Sequence, residues 1–338
     1  MRLRQERTML ITSRTPLRVS FFGGGTDYPE YFSRFPGAVV GMAINKYIYI
    51  SALRLATFIE YKYRLSYSRL ENTKTIEEIQ HPVIREVLKY YRVGEALDMS
   101  VIADLPASSG LGSSSAFTVG LINLVKALKS EQMTRLDLGL AAIHAERDLL
   151  NDSVGVQDQL HAAFGGLNRF DFVDGRIRIS PVQMHSDCQN VLLSSLVLIY
   201  TGIQRSASAT VKEQIDATRE RKVDRELGEL LALTTQAVEV LEGVDPERML
   251  ATFGAMMHEG WMIKRSLSTK VSTPEINELY DAAIEAGALG GKLCGAGGGG
   301  FLLMVVPPEC RAAFSQKMER AFLIPIDMDR QGSVILQN

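Results

Sequence analysis

The 338-residue sequence has little that would tie it to a membrane, a metal cluster or nucleic acid. Its longest apolar runs, such as Val191–Tyr200, are too short to span a bilayer. The three cysteines, Cys188, Cys294 and Cys310, are odd in number, widely separated and without metal-ligand spacing. They argue against a disulfide framework and for a reducing compartment, with the cytoplasm as the expected setting. The five histidines show no metal-site spacing either and read as structural. A net charge of −2 excludes a general basic face for nucleic acid or anionic membrane, although a local basic pocket stays open. The basic start, Met1–Arg7, is not followed by an apolar stretch of signal-peptide length, and Met9 offers an alternative start. What remains is an ordinary globular composition in a chain longer than one hydrophobic core usually supports, so two domains are expected.

The most informative stretch is Leu105-Pro106-Ala107-Ser108-Ser109-Gly110-Leu111-Gly112-Ser113-Ser114-Ser115-Ala116-Phe117. It lies between a strand expected over Met99–Leu105 and a helix expected over Ala116–Leu128. Unpaired N–H groups and the helix dipole make such a junction a cradle for phosphate, and glycine allows the close approach. The same residues also suit a Ser-capped helix after a Gly-rich turn. Two further glycine blocks occur, Gly23-Gly24-Gly25-Thr26-Asp27 after the strand Thr12–Phe22, and Gly290-Gly291-Lys292 to Gly300 before the strand Phe301–Val306.

Elsewhere the pattern predicts strands over Val39–Leu53 and Tyr61–Tyr67 and a helix over His81–Tyr91 with Pro82 in its first turn. Helices are expected over Arg135–Leu150 and Val154–Phe164, then a hairpin over Leu167–Ile179 turning at Val173–Arg176. The periodicity loosens near Ser180–Gln189, which sets the expected division between residues 9–182 and 183–338. The second half should open with a buried strand, Val191–Tyr200. Helices over Ser206–Lys222, Arg225–Leu241, Pro246–Ser266, Pro274–Ala286 and Glu309–Ala321 follow, with strands near Leu323–Ile326 and Val334–Leu336. The mixture predicts an α+β protein without a regular βαβ repeat.

Known phosphate loops fit poorly. No Gly-x-x-x-x-Gly-Lys-Ser/Thr is present. The dinucleotide fingerprint begins at Gly110 and Gly112 but meets Ser115 at its third position. Protein-kinase motifs are absent.

Taken together, the three glycine blocks resemble, in order and spacing, the three motifs of the GHMP kinases, the superfamily of galactokinase, homoserine kinase, mevalonate kinase and phosphomevalonate kinase. Pro106–Ser114 is the most specific match and Lys292–Gly300 nearly equals it. The resemblance covers essentially the whole chain. It implies an N-terminal ATP-binding domain like domain 2 of ribosomal protein S5, a ferredoxin-like C-terminal domain, and ATP with Mg²⁺ in the cleft between them. Within the superfamily, Arg14–Tyr28 points to sugars. Galactokinases have Gly-Glu-His-Thr-Asp-Tyr where this chain has Gly24 and Gly25 in place of Glu-His. That form, with Thr201–Ala207, looks most like D-glycero-D-manno-heptose 7-phosphate kinases, which make the 1,7-bisphosphate for GDP-heptose and surface polysaccharide. Fucose- or galactose-type anomeric kinases, or a non-catalytic sugar-sensing relative, are the alternatives. The partners implied are a small sugar phosphate and, at most, a second copy of the chain, with no nucleic acid and no membrane.

The resemblance also assigns roles. Asp158, in Gly155-Val156-Gln157-Asp158-Gln159, matches the catalytic aspartate, and Arg18 the motif-one arginine that would hold it ionised. Pro106, Ser108, Ser109, Gly110, Leu111, Gly112, Ser113, Ser114 and Ser115 would bind nucleotide. Ser114 and Glu146 would hold Mg²⁺, which favours few protein oxygens. Gly24, Gly25, Thr26, Asp27, Gly295, Gly297 and Gly298 would meet substrate. Arg205, then Lys264, Arg265 and Lys270, would supply the cations a terminal phosphate needs.

Overall fold

The computed structural model describes residues 10–56, 59–203 and 208–337. Arg205 therefore lies outside the described residues. The first half comprises β1 (Ile11–Phe22), α1 (Pro29–Phe32), β2 (Gly37–Arg54), β3 (Tyr63–Ser66), β4 (Leu70–Thr73), α2 (Pro82–Tyr90), β5 (Leu97–Ala103), α3 (Ser113–Leu128), α4 (Arg135–His144), α5 (Gln157–Phe164), β6 (Leu167–Val173) and β7 (Arg176–Pro181). The second comprises α6 (Ser186–Ser195), β8 (Leu196–Tyr200), α7 (Ser208–Arg219), α8 (Asp224–Leu241), α9 (Pro246–Ser266), α10 (Pro274–Glu285), β9 (Gly290–Leu293), β10 (Phe301–Val305), α11 (Arg311–Lys317), β11 (Phe322–Pro325) and β12 (Val334–Gln337).

β2 organises the larger sheet. Along one edge it pairs antiparallel with β1; along the other, residues 48–54 pair with β5 and residues 37–42 with β6. Pro16 cannot donate to a ladder, and the β1–β2 register shifts at Pro16/Leu17. The small sheet runs β11-β8-β10-β9, all antiparallel. Two separate sheets with helices packed on them make the α+β architecture expected, with one connection the sequence does not suggest. β12, from the far end of the second half, returns to pair with β1 in the first sheet. Phe253 of α9 also locks the halves together, meeting Phe21 and Phe22 edge-on at 5.2 and 5.6 Å.

Three local expectations change. The run Val191–Tyr200 is a strand only from Leu196. Before it, Cys188, Leu192 and Ser195 fall on one buried helical face, the 3.6-residue period of α6. The helix expected over Arg135–Leu150 ends at His144 and continues as a π-helical turn, Ala145–Leu149. β9 contains Gly290 and Gly291, poor strand formers, because a Cβ on either would meet Gly254 O of α9 at 2.0 Å or Leu303 O at 2.3 Å.

Candidate active site

All three glycine blocks converge on one cavity of about 220 Å³. Its walls include Arg18 and Ser20 of β1, Gly24, Gly25 and Asp27 of the following turn, and Gly110 and Gly112–Ser115 at the start of α3. The rest is formed by Val154–Gly155 and Gln157–Asp158 around the start of α5, Val211 and Gln214 of α7, Lys264 of α9, Lys292 of β9, and Gly295–Ala296.

The loop before α3 turns through left-handed backbone at Ser108, Gly110 and Gly112. Gly112 occupies the N-cap position without a side-chain cap, and no acidic residue lies in the first turn. The N–H groups and positive dipole end at Ser113–Ser115 are therefore left for an anion in the cavity. Close approach also requires glycine: a Cβ on Gly110 would stand 2.5 Å from Cys294 O, and one on Gly295 would stand 2.6 Å from Gly110 Cα. The second and third glycine blocks are thus in backbone contact.

Arg18 fastens this loop to α5. Its N–H donates to Leu111 O at 3.0 Å and Nη1 to Gly110 O at 2.5 Å. Nε and Nη2 each donate to Asp158 at 2.7 Å, a bidentate fork. The Arg18 side chain is 6% exposed and Asp158 25%, so the carboxylate keeps a face toward the cavity. Burial opposes the Arg18 charge, but Asp158 more than restores it, and the guanidinium titrates above its ordinary range.

Asp27 is fully buried beside them. It accepts from Gly25 N–H at 2.9 Å and Gln157 N–H at 3.4 Å, so it also caps α5. A Cβ on Gly155 would lie 2.1 Å from Asp27 Oδ2, which explains the glycine there. Burial raises the Asp27 pKa, the Gly25 hydrogen bond lowers it, and Asp158 raises it again.

Two lysines complete the charge pattern. Lys292 is buried, donates to Phe21 O at 3.0 Å, and is pushed down to about 7 by burial and then by Lys264. The Lys264 ammonium is held by Leu293 O at 3.2 Å and by Gly295 O, and burial pushes it down to about 8.

Glu146 lies behind the cavity. On the π-helical turn it is 2% exposed and accepts from Ser115 Oγ and Thr118 Oγ1, both at 2.8 Å, and from Gln159 Nε2. Burial raises its pKa to about 7 against those hydrogen bonds. Ser114 is exposed on the cavity side, and Ser115, not Ser114, reaches Glu146. The expected Ser114–Glu146 pair is therefore not assembled, and the residues as arranged do not fit a magnesium site. No cluster of three or more His, Cys, Asp or Glu suited to a metal occurs among the described residues.

The remaining expected residues divide clearly. Leu111 is a core side chain, and Thr26 Oγ1 pins the turn through Gly23 O and Ala38 O. Pro106 and Ser108 are exposed, while Ser109 is buried with an unpartnered hydroxyl. Gly297 and Gly298 pack on Val271 rather than lining the cavity. Arg265 faces Trp261 and Met262, and Lys270 pairs with Glu213 at 2.8 Å. Sequence reasoning missed Ser20, Gln157, Gln214 and the charge of Lys292. Gln157 was adjacent to Asp158, whereas Gln214 had no signal before the two halves were brought together.

An uncapped helix N-terminus facing a buried arginine–carboxylate fork suits an anionic ligand beside a positioned carboxylate. Residues 77–166 match the GHMP kinase N-terminal domain and residues 246–323 the GHMP kinase C-terminal domain, and the chain belongs to that family. Among curated relatives, a D-glycero-alpha-D-manno-heptose 7-phosphate kinase of Campylobacter jejuni is 28% identical over 88% of this chain and 90% of its own. A galactokinase of Pyrococcus furiosus is 24% identical over 93% and 94%. Among solved structures, a D-glycero-D-manno-heptose 1-phosphate kinase of Bacteroides thetaiotaomicron superposes with a TM-score of 0.78 at 22% identity, covering 97% of this chain and 99% of that one. A Lactococcus lactis galactokinase complexed with galactose gives 0.72 at 18%, covering 96% and 95%. No helix among the described residues is long and apolar enough to cross a membrane.

Proposed function

We propose that the protein transfers the terminal phosphoryl group of ATP to the anomeric hydroxyl of D-glycero-D-manno-heptose 7-phosphate, giving the 1,7-bisphosphate for GDP-heptose and surface polysaccharide. The observation that carries this reading is the Arg18–Asp158 fork, set against the open N-terminus of α3 in one cavity. ATP phosphates lie on the amides of Ser113–Ser115. The acceptor lies across the Gly24–Asp27 turn with its anomeric hydroxyl at Asp158.

Asp158 takes the proton of that hydroxyl, which is unusually acidic for a sugar. The oxygen then forms a bond to the terminal phosphorus as the bond to the ADP oxygen breaks. Arg18 orients Asp158 through its fork, and Lys264 with Lys292 offsets charge spread over the transferring group. The similarity to a heptose 7-phosphate kinase supports the acceptor.

Galactokinase and fucokinase relatives give the second reading, an anomeric kinase of an unphosphorylated sugar. Coupled ADP release across a sugar panel separates the two. Turnover should require the terminal phosphate; equal turnover of the sugar with and without it excludes the heptose 7-phosphate assignment.

A further inference from the structure

α7 forms one wall of the cavity, yet its sequence gives it little apolar hold there. The residues it buries, Thr210, Gln214, Ile215 and Thr218, follow the helical period, but three of the four are polar. Val211 and Gln214 line the cavity, and the Gln214 amide lies over Gly25, where a Cβ would meet Nε2 at 2.7 Å. A face of this kind gains little from leaving water, so directed polar links set the position of the helix.

Those links sit toward both ends. At the C-terminal end, Arg34 Nη2 donates to Thr218 O at 2.8 Å, and Arg219 pairs with Glu30 of α1 at 3.1 Å. In the first half, Glu213 commits both carboxylate oxygens to one turn. Oε1 accepts from Ser268 Oγ at 2.7 Å, and Oε2 pairs with Lys270 Nζ at 2.8 Å. Ser268 Oγ also accepts from Lys270 N–H at 3.1 Å, which fixes the hydroxyl. The turn rests in its own right on the third glycine block. Gly298 N–H donates to Val271 O at 2.9 Å, and a Cβ on Gly297 would lie 2.7 Å from Val271 Cα.

We infer that Glu213 is a positioning residue: it latches α7 onto the Ser268–Val271 turn and so holds Val211 and Gln214 against the acceptor side of the cavity. With the latch broken, α7 keeps its ties to α1 at one end, and the closed wall becomes one of two populations. Acceptor affinity falls with the fraction that stays closed, whereas ATP on the Ser113–Ser115 amides is indifferent. Glu213 and Lys270 are 36% and 56% exposed, so each link is modest and the effects are several-fold. The role in acceptor binding rests on the kinase reading above; the latch does not.

Glu213→Ala and Glu213→Gln test this. Ala removes both links, while Gln keeps an oxygen for Ser268 and loses the charge pair with Lys270. Hydrogen exchange of the α7 amides in the free protein, acceptor Kd by calorimetry, steady-state kinetics and melting temperature are measured. Glu213→Ala should speed α7 exchange and raise acceptor Kd and KM, each by about three- to tenfold, and Glu213→Gln by less. Melting temperature, kcat, ATP KM and exchange elsewhere should stay as in wild type. Unchanged α7 exchange in Glu213→Ala overturns the latch, whether or not a sugar binds. Faster α7 exchange with unchanged acceptor Kd overturns its role at the cavity and leaves the kinase reading standing. A wild-type protein that neither binds nor phosphorylates any sugar of the panel overturns the kinase reading, and α7 exchange then decides the latch alone.

Discussion

Asp158→Asn alters the charge at the centre of the site while changing its shape least. Asn keeps one oxygen for the Arg18 fork but presents an NH₂ where the second oxygen stood, so one of the two 2.7 Å bonds is lost. A hydrogen bond to a charged group contributes about 1.5–3 kcal/mol, so the variant should fold with a lowered melting temperature. Turnover should suffer more. Removing a positioned general base costs about 10²–10⁴-fold, equivalent to about 3–5 kcal/mol of barrier. Nucleotide binding should persist, because the Ser113–Ser115 amides do not depend on the carboxylate. The assay pairs coupled ADP release with fluorescent-nucleotide titration. Turnover within tenfold of wild type, with the fold intact, would refute Asp158 as the base.

Arg18→Lys keeps the charge but loses the fork, and kcat should fall markedly while nucleotide affinity changes little; near-normal kcat would show that a point charge suffices. Glu146 titrates near 7 instead of its ordinary 4.5, so the folded state holds the extra proton between those values. Wild-type stability should therefore fall as pH rises from about 4.5 to 7, by at most about 3 kcal/mol, and Glu146→Gln should remove that slope. Melting temperatures at pH 5 and pH 8 check this, and parallel curves for the two proteins would contradict it. Lys292 shows the opposite sign. Its folded value of about 7 lies below 10.5, so the unfolded chain binds more protons between them and stability should rise with pH across that window. Lys292→Met should flatten the rise, as read from urea midpoints at pH 7 and 9.5.

The glycine loops, their order and their strand and helix flanks are legible in the sequence because Gly and Ser spacing encodes backbone geometry directly. α9 begins and ends at the expected residues, Pro246 and Ser266, and the structure adds Asp245 as its cap. Other features depend on tertiary contact. The partners of Glu146 are settled by a π-helical turn that shifts the face it presents, so Ser115, Thr118 and Gln159 surround it instead of the cavity. The charge of Lys292 was hidden because a lysine within a glycine-rich stretch reads as part of the turn. β12 is a short apolar run with nothing local to say that its partner, β1, lies at the other end of the chain.

The reading stands or falls on the acceptor atom, the anomeric hydroxyl of a sugar 7-phosphate phosphorylated from ATP. Phosphorus and carbon NMR of the product formed from ATP and D-glycero-D-manno-heptose 7-phosphate test it most directly. The expected product carries two phosphates, with the new phosphorus coupled to the anomeric carbon. A phosphate on any other carbon, or ADP formed with no phosphorylated sugar, would contradict it.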